Sequence, residues 1–93
     1  MRSAAIDLAP EIRVNAVCPG AIDTAKLREG FARWAESAEE RKAVLRQRTA
    51  LRRIGEPSEV AGAVSFLIGD DARFVTGTAL VVDGGATARL GSE

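Results

Sequence analysis

Apolar and polar residues alternate along the chain with helical spacing in some stretches and with strand spacing in others. Small apolar residues share one face of a helix over residues 2–10, and Pro10 ends it because the residue before a proline disfavours helical backbone. Residues 12–17 are apolar on both faces and partly β-branched, and residues 78–85 form a similar run that two glycines close. We expect both runs to be largely buried strands.

Helical spacing also fills the region between the two predicted strands. Leu27, Phe31 and Trp34 recur at i, i+4 and i+7, which predicts one apolar stripe. A capping-box pattern at Ser37 predicts that a second helix starts there. The charged residues on this helix are typical of a solvated face with pairs at i+3 and i+4; they are Glu39, Glu40, Arg41, Lys42 and Arg46.

Residues 51–71 carry the clearest helix signals. Pro57 suits the first position of a helix, and Gly69 is expected to end it with a left-handed cap. An apolar stripe at Val60, Val64, Leu67 and Ile68 is expected to face inward.

The predicted order is helix, strand, helical insert, helix, strand. Two apolar strands joined by a helical crossover should lie parallel, as in a βαβ unit. Two such strands leave an open edge and an uncovered face, so we interpret the chain as a piece of a larger doubly wound α/β sheet.

Composition narrows the possible chemistry. The sequence has no His, no Tyr and one Cys, which excludes Ser-His-Asp or Cys-His nucleophiles, a disulfide framework and a His/Cys zinc site within one chain. Neither common glycine-rich phosphate loop occurs. Lys plus Arg equals Asp plus Glu at 13 each, which argues against a nucleic-acid partner. With no apolar run long enough to span a membrane, a cytoplasmic protein is expected.

Several spaced motifs stand out in the chain: "VNAVCPGAIDT" at 14–24, "RRIGEPSEV" at 52–60, and "VTG" at 75–77 before "VVDGG" at 81–85. Together they resemble the C-terminal part of a short-chain dehydrogenase/reductase. Among members of the family, the sequence is similar to 3-oxoacyl-carrier-protein reductases and to sugar or alcohol dehydrogenases. The resemblance implies that residues 1–93 are a single partial domain, the C-terminal part of a Rossmann-type, doubly wound α/β sheet. Residues 12–17 and 79–82 would then be the last two strands of that sheet, and residues 25–50 a helical insert covering a substrate pocket.

The resemblance also implies a cofactor site. Pro19, Gly20, Ile22 and Thr24 would meet the nicotinamide end of NAD or NADP: the Ile22 backbone would bind the carboxamide, and Thr24 the carboxamide or a phosphate. From the residues alone, Pro19-Gly20 could simply end the strand and Thr24 could cap the next helix, and both roles can hold together. No catalytic or metal-binding residue is assigned.

By family resemblance the chain belongs to an NAD(P)-dependent oxidoreductase, usually a homo-oligomer, that transfers hydride between the cofactor and a carbonyl or alcohol. The Tyr-x-x-x-Lys pair and the glycine-rich loop of the family are missing, so the chain alone should be inactive and should bind cofactor weakly or not at all. An alternative is a truncated or split remnant that is not catalytic and acts only by docking onto other subunits.

Overall fold

Helices and strands follow one another in the predicted order. The computed structural model describes residues 1–34 and 38–91; Ser37 and the side chains of Phe31 and Trp34, on which two predictions depend, lie outside the described part. The elements are α1 (Arg2–Leu8), β1 (Ala16–Pro19), α2 (Ala25–Trp34), α3 (Ala38–Arg48), α4 (Pro57–Ile68), β2 (Ala79–Val82) and α5 (Ala86–Gly91), with a short 3-10 helix at Asp70–Ala72. Among the described helices, none is long and apolar enough to cross a membrane.

The chain forms two compact units. The first comprises Met1–Cys18 and Ser58–Val82, and the second comprises Pro19–Pro57 and Asp83–Glu93. The first unit holds the parallel pair β1–β2, as predicted, and the second holds α2, α3 and the loops around them.

The first strand begins later than predicted, at Ala16 rather than residue 12. Before that point backbone and side-chain hydrogen bonds are mixed: the Gly77 N–H donates to the Val14 carbonyl at 2.8 Å, but the Val14 N–H donates to Thr76 Oγ1 at 3.1 Å. Asn15 Nδ2 donates to the Val75 carbonyl at 3.0 Å, while Asn15 Oδ1 accepts from the Thr78 N–H at 3.1 Å. Arg13 Nη1 also donates to the Val75 carbonyl, at 3.0 Å. These side-chain contacts join the two segments without the regular hydrogen-bond geometry of a strand pair.

The prediction that both strands are largely buried is wrong. The residues of β1 are half-buried or exposed, and β2 alternates between exposed and half-buried positions. Within the described residues the sheet has only these two strands, so neither strand is covered on both sides. The buried apolar residues of this unit are Ala5, Leu67 and Ala72, which come from α1, α4 and the 3-10 helix.

Helix α4 starts at Pro57, as predicted, but its stripe and its end differ from the prediction. Leu67 is buried, whereas Val64 and Ile68 are exposed. Gly69 is extended, with φ −94° and ψ 177°, rather than left-handed. It leads directly into the 3-10 helix, so the chain leaves α4 by a second helical turn and not by a left-handed cap.

The second unit is organised by a polar turn after α3. The hydroxyl of Thr49, which is buried, shares its one hydrogen between the Arg46 and Arg53 carbonyls, at 3.1 and 3.2 Å, and the same oxygen accepts from the Arg53 N–H at 3.1 Å. The next residue but one, Leu51, donates its N–H to the Gly84 carbonyl at 3.0 Å. The end of the helical insert is therefore tied to the glycine pair that follows β2.

Candidate functional site

The loop that follows β1 is held by one backbone bridge. Ile22 pairs with Gly55 in a parallel bridge: the Asp23 N–H donates to the Gly55 carbonyl at 2.8 Å, and the Gly55 N–H donates to the Ala21 carbonyl at 3.0 Å. In a parallel bridge the flanking residues make these bonds, so the N–H and C=O of Ile22 point away from Gly55. Neither group has a hydrogen-bond partner in the described part of the chain.

Two glycines allow this loop to lie close to its neighbours. A Cβ at Gly20 would stand 2.7 Å from Asp83 Cβ and 2.9 Å from Asp83 Cα, distances that real Cβ atoms do not show. A Cβ at Gly55 would stand 2.8 Å from Ile22 Cδ1. The loop is thus packed against the turn after β2 on one side and against the segment before α4 on the other.

Thr24 caps helix α2. Its Oγ1 accepts the Leu27 N–H at 3.2 Å, and its carbonyl accepts the Arg28 N–H at 3.1 Å. Thr24 therefore has the helix-capping role that the sequence allows for it. Capping uses only an oxygen lone pair, and among the described residues nothing accepts the hydroxyl hydrogen. Thr24 can cap the helix and still donate to a ligand.

All four residues predicted to meet the cofactor line one cavity of about 810 Å³ in the second unit. The loop forms one wall, and α2 and α3, which pack against each other, form the other. The full lining is Pro19, Gly20, Ala21, Ile22, Thr24, Lys26, Leu27, Gly30, Arg41, Val44, Leu45 and Arg48. The structure brings the four predicted residues together on one wall of this cavity.

The opposite wall belongs to the predicted helical insert, residues 25–50, but its charged members were not singled out in the sequence. Arg41 is exposed, in agreement with its assignment to a solvated face, and it also lines the cavity together with Val44, Leu45 and Arg48. These four residues follow the spacing i, i+3, i+4 and i+7, which places them on one side of a helix. That spacing was the available signal, and it was hidden because two of the four residues are charged.

Asp83 lies beside the site, where it supports the loop without lining the cavity. Hydrogen bonds lower the pKa of its carboxyl: first from the Thr87 hydroxyl at 2.6 Å, then from the Thr87 and Gly85 N–H groups at 3.0 and 2.9 Å. The carboxylate caps α5, so it has a structural role. No group of three or more potential metal ligands occurs in the described residues.

Comparison with known proteins places this geometry in a family. Residues 1–87 match the family described as enoyl-(acyl carrier protein) reductase. The chain is 41% identical over 90 residues to human dehydrogenase/reductase SDR family member 4, covering 96% of this chain and 31% of that protein. It is 37% identical over 89 residues to the short-chain dehydrogenase/reductase SDRA of Arabidopsis thaliana, covering 96% of this chain and 33% of that protein.

Solved structures agree. Ligand-free aldohexose dehydrogenase from Thermoplasma acidophilum superposes with a TM-score of 0.89 at 42% identity, covering 95% of this chain and 36% of that one. This likeness confirms the predicted fold class, an α/β part of a Rossmann-type sheet. The chain spans about a third of the length of these relatives. With its motifs, its fold and its nearly full-length match in agreement, the chain belongs to the short-chain dehydrogenase/reductase family.

Proposed function

We propose that this chain forms the nicotinamide side of the cofactor site in an NAD(P)-dependent oxidoreductase that transfers hydride between the cofactor and a carbonyl or alcohol. The bridge between Ile22 and Gly55 carries the proposal. It leaves a donor and an acceptor on one residue, two positions from a hydroxyl that can still donate, and Ile22 and Thr24 line the same cavity. A carboxamide needs that combination, since it has both a carbonyl oxygen and an NH₂ group.

The residues of this chain would bind and orient. The Ile22 N–H would donate to the carboxamide oxygen and its carbonyl would accept from the carboxamide NH₂, which fixes the face that the ring presents. Thr24 would donate its hydroxyl hydrogen to the carboxamide or to a phosphate oxygen. Gly20 keeps the loop against Asp83, so the wall does not move away from the ring. When bound, the nicotinamide supplies the hydride chemistry.

A proton must also move when a carbonyl is reduced. This sequence has no Tyr or His, so a Tyr proton donor of the kind the family uses would come from outside these residues. The cytoplasmic location, the homo-oligomeric state and the choice between NAD and NADP stay predictions.

Amide chemical shifts of the isotope-labelled chain, titrated with NADH and with NADPH, test the proposal directly. We expect weak binding that shifts Ile22, Asp23 and Thr24 and leaves Gly62 of α4 unchanged. Thr24→Val should weaken the binding of NADH and NADPH. Thr78→Val makes the same change outside the cavity and should leave the binding unchanged. Equal responses of both variants, or shifts that avoid residues 22–24, would contradict the proposal.

A chimera extends the test to turnover. This chain would replace the matching 36% of the Thermoplasma acidophilum aldohexose dehydrogenase. Loss of one hydrogen bond to the cofactor in Thr24→Val should raise the cofactor KM by about fivefold. Thr24→Ser keeps the hydroxyl and should stay close to the unmodified chimera. An unchanged KM in Thr24→Val would argue that Thr24 only caps α2.

Exposed apolar side chains favour a second candidate function, in which the chain is not catalytic and acts only by docking onto other subunits. Ile6, Ile68 and Phe74 in the first unit are 77%, 76% and 101% exposed. Such residues are the kind that another subunit would cover. Size-exclusion chromatography tests this role: a stable, well-folded monomer that resists aggregation would count against it.

A further inference from the structure

Three cations line the cavity without a carboxylate beside them. Lys26 comes from α2, and Arg41 and Arg48 come from α3. None of the three side chains has an ion pair or hydrogen bond with another residue in the parts of the chain that are described, 1–34 and 38–91. The cavity lining contains no Asp and no Glu.

Three other cations of the same two helices are paired. Arg28 of α2 lies 3.8 Å from Asp23, and Lys42 and Arg46 of α3 each lie 3.7 Å from Glu39. None of these paired cations lines the cavity. The chain has equal numbers of acidic and basic residues, so carboxylates for pairing are not scarce. The cavity lining therefore carries a local positive charge.

The remaining wall is apolar. Leu27 and Leu45 are half-buried and Val44 is 38% exposed, and all three line the cavity beside the loop that holds Ile22. Lys26, Arg41 and Arg48 are exposed, so their charged ends stay in water while the apolar side chains below them form the wall. A ligand that matches both features has an apolar body and an anionic group.

We infer that the substrate of this site is an amphiphilic organic anion, with a carboxylate or phosphate ester near Arg41 and Arg48 and an apolar body along Leu27, Val44 and Leu45. The inference rests on the proposed function, since a hydride acceptor must lie beside the nicotinamide and hence beside Ile22. Because the cations are exposed, each should contribute modestly, about threefold in affinity, and less at high salt.

Amide shift titrations of the chain with octanoate, octyl phosphate and neutral octan-1-ol test the inference without any cofactor. Octanoate or octyl phosphate should shift Ile22, Leu27 and Val44, and should bind at least about threefold tighter than octanol. The two anions distinguish a carboxylate from a phosphate ester. Combining Arg41→Gln with Arg48→Gln should weaken the anion about tenfold and leave octanol unchanged.

Matched variants separate charge in the cavity from charge elsewhere. Arg46→Gln removes the same charge from the same helix but outside the cavity, and should change anion affinity less than about twofold. Arg41→Lys keeps the charge and should restore binding. Equal binding of octanol and octanoate, or equal effects of Arg41→Gln and Arg46→Gln, would overturn the inference.

Inorganic pyrophosphate tests the alternative that the three cations bind the phosphates of the cofactor and not an anionic substrate. If pyrophosphate binds as tightly as octyl phosphate and depends equally on Arg41 and Arg48, the cations serve a cofactor phosphate and the inference is wrong. Anion binding that fails while NADH still shifts Ile22 refutes this inference alone. Anion binding that persists without a response to NADH refutes the proposed cofactor role alone.

Discussion

Replacing a glycine by alanine can destabilise this chain in two ways, by straining a left-handed backbone or by overlap of the new methyl group with a neighbour, and four glycines of the second unit differ in which of these they meet. Gly85 has φ +89°, and a Cβ there would stand 2.7 Å from Ala50 Cβ, so alanine would meet both backbone strain and overlap. Gly84 has φ +64° with ordinary contact at 3.4 Å, so it meets strain alone. Gly20 overlaps Asp83 without a left-handed φ, and Gly30, inside α2, meets neither cost.

The magnitudes follow from these geometries. Gly30→Ala should stabilise the chain by about 0.5–1 kcal/mol, because alanine loses less backbone entropy in a helix. Gly84→Ala should cost about 1–2 kcal/mol for the left-handed backbone. Gly20→Ala should cost about 1–3 kcal/mol, because Asp83 contributes backbone to the overlap and cannot simply rotate away. Gly85→Ala combines both terms, about 2–5 kcal/mol.

Urea unfolding of the 93-residue chain, followed by far-ultraviolet circular dichroism, measures the four free energies of unfolding against the unmodified chain. The expected order of stability is Gly30→Ala, unmodified, Gly84→Ala, Gly20→Ala and Gly85→Ala. A Gly85→Ala chain within about 0.5 kcal/mol of the unmodified one, or a Gly30→Ala chain as unstable as Gly85→Ala, would refute the reasoning.

Three further predictions concern polar residues. Hydrogen bonds in the folded chain lower the pKa of Asp83 from 3.8, so the carboxylate contributes its full stabilisation above about pH 3.8 and loses it as the pH falls through the lower folded pKa. Asp83→Asn should therefore make the free energy of unfolding depend less on pH at the acid end. An unchanged acid dependence would contradict this. Asn15→Asp replaces the donor to the Val75 carbonyl with an acceptor and should lower the free energy of unfolding by about 1–2 kcal/mol, with Asn15→Gln as the control that keeps the amide. Thr49→Val removes a buried hydroxyl with three hydrogen-bond partners and should cost about 1–3 kcal/mol, whereas Thr49→Ser should cost less; equal losses would show that the methyl group matters more.

Local signals gave the elements correctly where a single residue fixes the backbone. Pro57 is the first residue of α4, Pro10 follows the end of α1, and Thr24 caps the start of α2. Each of these acts through its own φ restriction or through a bond to a residue within the same turn. The second strand, Ala79–Val82, also lies inside the predicted run.

The start of the first strand could not be predicted in this way. The apolar pattern of residues 12–17 suits a strand, but Arg13 and Asn15 bond through their side chains to segments about sixty positions away, at 3.0 Å in each case. Those partners are known only when the chain is folded. Burial was overestimated for a related reason: periodicity shows which residues are apolar, not whether another layer covers them.

The sequence by itself determined the order of helices and strands, the family, and the loop residues that line one wall of the cavity. The tertiary structure decided which residues of α2 and α3 line the opposite wall and in which direction the N–H and C=O of Ile22 point. The Ile22–Gly55 bridge joins residues far apart in sequence, and the cluster of Lys26, Arg41 and Arg48 forms only because α2 packs against α3. Caps and prolines act within one turn, whereas a bridge or a shared cavity depends on the closure of long loops, which no local pattern encodes.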